Sequence, residues 1–180
     1  RRHLIPKAKK RPFLLFNETD LQVLRERVVQ HPSLSKGIRS KAEDIVKRSD
    51  FSMKSETYYI LPRLWSVIES ELIFPSEDQR DYLHKFLRVT CAAPTWVCHV
   101  HPGMICDHGA ANTAAALTMA MEALGAHLTD DEDRAYSAGI EEKCLKLFLQ
   151  CCESRNIFWA RRDHHMNWRI MTCGEAGLAA

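Results

Sequence analysis

The sequence predicts an all-α protein of antiparallel helical hairpins, on three observations. Apolar residues recur at helical spacing in one segment after another, with short breaks between them. No segment alternates apolar and polar residues as a half-buried strand does. No Gly-rich phosphate loop joins a strand to a helix, which removes the doubly wound α/β folds.

Each element can be justified in order. Residues 1–10 form a basic tail, and 11–180 form the domain. After Arg11-Pro12 and the apolar Phe13-Leu14-Leu15-Phe16, the segment Asn17 to Asp20 offers capping oxygens. Leu21, Leu24 and Val28 then repeat at helical spacing as far as His31-Pro32. Ser33 or Ser35 is expected to cap a second helix, apolar at Ile38, Ala42, Ile45 and Val46. A third, from about Ser55 to Ile73, contains Pro62, which is expected to cost a hydrogen bond and bend it. Pro75-Ser76-Glu77 restarts a helix carrying Tyr82, Leu83, Phe86, Leu87 and Val89.

Between Cys91 and Asp107, Pro94, Pro102 and Gly103 break regular structure and leave a loop long enough to carry function. Gly109 to Gly125 is so rich in Ala that it reads as a buried central helix able to approach a neighbour closely. Gly125 suits its C-terminal end. Thr129 with Glu132 forms a capping box for the next helix, whose apolar face is Ile140, Cys144, Leu147 and Phe148. A second loop, Glu153 to Met166, leads to a small-residue helix starting near Asn167. The helical pattern runs to Ala180 without a cap, as expected of a piece of a longer chain.

Composition narrows the function. With 46% apolar and 27% charged residues the chain has the composition of a globular domain, not of a disordered one. No apolar run reaches the roughly 20 residues that a membrane span needs, and the first residues lack the apolar core of a signal peptide. Six of the 25 basic residues fall in the first eleven positions, leaving 19 basic against 23 acidic residues in the rest. Without interleaved aromatics this tail reads as a solvated terminus, so nucleic acid is not an expected partner. Seven scattered cysteines, two of them adjacent, make a poor disulfide framework and favour reduced thiols.

Two clusters carry chemistry. The first is Cys98-His99-Val100-His101 with Cys106-Asp107-His108, residue types that suit zinc. The spacing matches no established zinc knuckle, and histidines lining a polar groove are the plainer reading. The second, Phe158 to Arg169, contains Trp159, Arg161, Arg162, His164, His165, Asn167, Trp168 and Arg169. Trp faces stack on sugar rings, Arg forks pair with carboxylate or sulfate, and an Asn amide donates to a carboxylate without needing charge. The plain alternative makes both Trp core anchors and leaves the arginines solvated.

The opening Arg11-Pro12-Phe13-Leu14-Leu15-Phe16-Asn17-Glu18-Thr19-Asp20-Leu21, with Leu24-Arg25 and His31-Pro32, resembles the start of heparinase II/III-like polysaccharide lyases. The run Met166-Asn167-Trp168-Arg169 into Gly174-Glu175-Ala176-Gly177-Leu178-Ala179-Ala180 resembles the Asn-Asn-Trp-Asn segment of that family and the small-residue helix after it. The helices Asp107 to Leu124 and after Thr129 fall where the family has an inner and an outer toroid helix.

The resemblance implies part of an incomplete (α/α) toroid, continued in a full-length enzyme by further hairpins and β-sandwich domains. It implies β-elimination at a uronic acid: the sugar carboxylate is neutralised, a base takes the C5 proton, and the bond from C4 to oxygen breaks. Asn167 becomes the first candidate for neutralisation. Several family members place a histidine after this asparagine, where Trp168 stands here, so the set is either different or completed by His164 or His165. Trp168, Arg169, Arg161, Arg162, Trp96, His99 and His101 become candidate contacts to an acidic polysaccharide or oligosaccharide. No metal and no cofactor is expected in this segment. The catalytic tyrosine lies farther along in the family, so the segment alone is expected to be inactive. Two other readings stand beside this one: a non-catalytic helical module that binds carbohydrate or protein, and a zinc-dependent hydrolase using the Cys98 to His108 loop. The family is often periplasmic or secreted, whereas the cysteine usage points to a cytoplasmic, reducing interior.

Overall fold

The computed structural model describes residues 16–48, 60–98, 101, 103–154 and 166–180, with side chains described outside 60–63 and 166–170. The chain is all-α, and the described residues contain no strand. The basic tail, the apolar segment 13–15 and most of the loop before Met166 lie outside them.

Helix α1 (Glu18–Val29) starts where expected: Asn17 Oδ1 accepts the Asp20 N–H, and the Asp20 carboxylate accepts the Asn17 N–H. Helix α2 (Pro32–Arg48) starts earlier than expected. Neither Ser33 nor Ser35 caps it. Pro32 takes the first helical position, where its missing N–H and fixed φ cost nothing, and the Ser35 hydroxyl donates to Val28 O at 2.7 Å.

Helix α3 is described over Ile60–Ile73. Residues 55–59 of the expected stretch, on which the bend expected at Pro62 depends, lie outside the described residues. Arg25 of α1 closes the C-terminal end of α3, its Nε donating to Leu72 O at 3.0 Å. At the next corner the buried Glu71 carboxylate accepts the Ser76 N–H at 2.9 Å and Arg80 Nη1 at 3.1 Å, fixing how α4 (Glu77–Ala92) leaves α3. Ser76 caps α4 through its hydroxyl.

Helix α5 (His108–Leu124) is the centre of the molecule, touching α3, α4, α6 and α8. All of its residues but Thr118 and Ala123 are buried. Its alanines let the neighbours come close, while Leu117, Met119, Met121 and Leu124 meet Leu64, Ile68, Leu83 and Leu87 in one core. Each buried Leu is worth about 1.5–3 kcal/mol of removed apolar surface. Gly125 ends α5 at φ +52°, a conformation that side chains rarely adopt.

Helix α6 (Asp130–Ile140) opens on the expected capping box. It runs through a π turn at Glu141–Leu145 into α7 (Lys146–Ser154). The periodicity gave no sign of that turn, which has a tertiary cause. Lys143 donates to Cys91 O and Ala93 O, closing the C-terminal end of α4, and lies 5.7 Å from the Trp96 ring centroid. Cys144 meanwhile points into the core. The helix also runs close to α4 at Gly139, where an added Cβ would sit 3.3 Å from Cys91 Sγ. Helix α8 (Met166–Ala179) packs along α5 with Ala176 and Thr172 buried.

Candidate functional site

The loop after α4 folds back onto the first turn of α5 through one carboxylate. Asp107 is 1% exposed. Its Oδ1 caps α5 by accepting the Ala110 N–H at 3.0 Å, and its Oδ2 accepts the Cys98 N–H at 3.0 Å. The same Oδ2 lies 2.9 Å from His101 Nδ1. A carboxylate at a helix N-terminus is favoured by the unpaired N–H groups and the dipole there. Turns from Cys98 O to the His101 N–H and from His101 O to the Met104 N–H shape the loop, and Gly103 at φ +88° allows the second.

One residue on, His108 is also buried, and its Nδ1 lies 2.9 Å from Glu175 Oε2 of α8. The contact is ionic when the imidazole is protonated. Glu175 Oε1 accepts a hydrogen bond from Asn112 Nδ2 at 2.9 Å. Two imidazole–carboxylate pairs therefore adjoin at the start of α5, one held within its loop and one spanning to α8.

The expected zinc reading gains no geometry. Among the described residues no group of three or more His, Cys, Asp or Glu is arranged to hold a metal ion. The Cys98 and Cys106 thiols are buried, and Cys106 sits against Cys144 with its thiol pushed far up by that contact and by burial. Burial likewise raises Cys91 to about 11 and Cys151 above the ordinary range. All seven cysteines are free.

The residues singled out in the sequence separate into four groups. Trp96, expected as a groove residue, is fully buried, its Nε1 donating to Thr90 O at 2.9 Å, so neither ring face is open to a sugar. His101 is half-buried and held by Asp107. Asn167, Trp168 and Arg169 lie in α8, with their side chains outside the described residues. His99, Arg161, Arg162, His164 and His165 lie outside them altogether.

Sequence reasoning missed Asn112, His108 and Glu175 as a set. Polar residues inside an otherwise Ala-rich buried helix, and an acid inside a small-residue helix, were the available signal. A buried polar group demands a partner, and these partner one another across two helices.

No family model matches the chain, and no curated protein and no solved structure matches it.

Proposed function

We propose that this chain is the N-terminal toroid portion of a polysaccharide lyase that cleaves uronic-acid glycans by β-elimination. The observation that carries the reading is that Asn167 and Arg169 belong to α8, the helix that packs along the buried α5. An Asn amide with an Arg close by in sequence supplies donors for a sugar carboxylate, whose neutralisation lowers the barrier to removing the C5 proton.

The surroundings support the same reading. The buried α5 has the character of an inner toroid helix, and α8 packs along it as the next one would. Glu175 ties α8 to His108 and Asn112 of α5. His164 or His165 completes the neutralising set in place of the histidine that Trp168 replaces. Arg161, Arg162 and Trp168 contact neighbouring sugars. The elimination adds no water, so its product absorbs in the ultraviolet as an unsaturated uronate.

The test is that absorbance, followed in the full-length protein on heparan, chondroitin, hyaluronan and alginate oligosaccharides. A rise with one substrate, lost at least a hundredfold in Asn167→Ala, is the expected result; removing a single transition-state donor typically costs about 10²–10³ in rate. Full activity in that variant would remove Asn167 from the site. Silence on every substrate from folded protein would remove the lyase reading.

A further inference from the structure

A groove of about 600 Å³ opens between α2 and the corner that joins α3 to α4. Arg39, Glu43 and Lys47 of α2 line one side, and Phe74, Asp78 and Gln79 line the other. The Arg39 guanidinium lies 4.1 Å from the Phe74 ring centroid. Stacking of this kind holds the planar group while leaving its N–H edge free to fork onto a carboxylate. Lys47 has Glu43 within reach one turn away, but only at 3.8 Å and with both side chains well exposed.

The opposite side offers acceptors. Gln79 is 7% exposed and its Oε1 accepts no hydrogen bond. Buried amides are normally satisfied. The last torsion of a Gln side chain is broad, so this carbonyl can turn into the groove towards an incoming donor without leaving its rotamer. Asp78, in the first turn of α4, adds a second acceptor next to it.

We propose that the groove binds a hydroxylated carboxylate of the uronic acid type. Arg39 takes the carboxylate, assisted by Lys47, and Gln79 and Asp78 accept from ring hydroxyls. Arg39 and Lys47, with Glu43 between them on the same helix, stand across the groove from the acceptors of Gln79 and Asp78, an arrangement that suits a ring with a carboxylate at one edge and hydroxyls at another. The choice of a sugar acid among small hydroxylated carboxylates rests on the lyase reading; the groove itself, on α2 and α4, does not.

The experiment is a titration of the isotope-labelled 180-residue chain with glucuronate, glucose and alanine, read by amide and side-chain chemical shifts. Saturable shifts around Arg39 and Gln79 with glucuronate are expected, weakened roughly ten- to hundredfold in Arg39→Ala and in Gln79→Leu. Spectra of the free variants that overlay on wild type away from the groove establish that both are folded. Equal shifts with glucose would overturn the role of the carboxylate. Shifts with alanine alone would make the groove a zwitterion site and overturn the sugar. No shift with any of the three would remove the site. Asn167→Ala is expected to leave glucuronate binding in the groove unchanged. Binding without any elimination by the full-length protein would therefore sink the lyase reading alone, and elimination without groove binding would sink this proposal alone.

Discussion

Helices α5 and α6 each start at a side-chain cap, yet the two caps differ in kind. Thr129 is exposed, and its exchange with Glu132 is complete within four residues. Asp107 is buried, and besides capping α5 it holds the Cys98 N–H and the His101 imidazole of a folded-back loop. A cap in solvent is worth its own hydrogen bonds, because water replaces whatever is removed. A cap in the core also carries every group that would be stranded without it.

That contrast predicts the size of each loss. Asp107→Ala is expected to cost roughly 3 kcal/mol or more, from the lost cap and the buried N–H groups left unpaired. Chemical denaturation measures it, and a loss under about 1 kcal/mol would mean that water reaches the loop. Glu175→Ala comes next, at roughly 1–3 kcal/mol, since it removes the acceptor of the buried Asn112 amide and the charge beside His108. Glu175→Gln should restore most of the Asn112 contribution but not the ionic one, and equal losses in the two variants would show that only the charge matters. Thr129→Ala is expected to cost about 1 kcal/mol, and a loss as large as that of Asp107→Ala would abolish the comparison.

The smallest effect is in acid. The backbone N–H of Thr129 holds the Glu132 carboxyl below its ordinary value, helped by the Thr129 hydroxyl and by attraction to His84 and Arg88, against a desolvation that raises it. A carboxyl lowered on folding contributes stability in full above its unfolded value and loses it as pH falls through the folded one. Thermal melts across the acid range should therefore show a shallower decline in Glu132→Gln than in wild type. Salt should shrink the difference, because the group is largely solvated. An unchanged slope would assign the shift to the fold rather than to this carboxyl.

How much was legible depends on how local the cause was. Asn17, Ser76 and Thr129 announce helix starts because a cap bonds N–H groups two or three residues on, a distance that sequence spacing records. The burial of α5 was legible from its alanines. The start of α2 was misread because Pro32 looked like a stop after His31, although the first turn of a helix accepts proline as readily as a break does. Trp96 was misread because an aromatic in a loop looks available, while its partner, Thr90 O, lies at the end of the preceding helix and faces inward. The candidate site was legible only in part. Asn167 stands out by motif, but the convergence of His108, Asn112 and Glu175 joins residues 63 positions apart, a separation no periodicity encodes.

By itself the sequence determined the helical class, the buried central helix and the caps at Asn17 and Thr129, because those follow from bonds and side-chain spacings within a few residues. Only the tertiary structure decided which polar residues meet, where a π turn breaks the long helix, and which aromatic is a strut. Those outcomes depend on what a second element brings to the same place: Glu175 to Asn112, Lys143 to the end of α4, and Thr90 to Trp96.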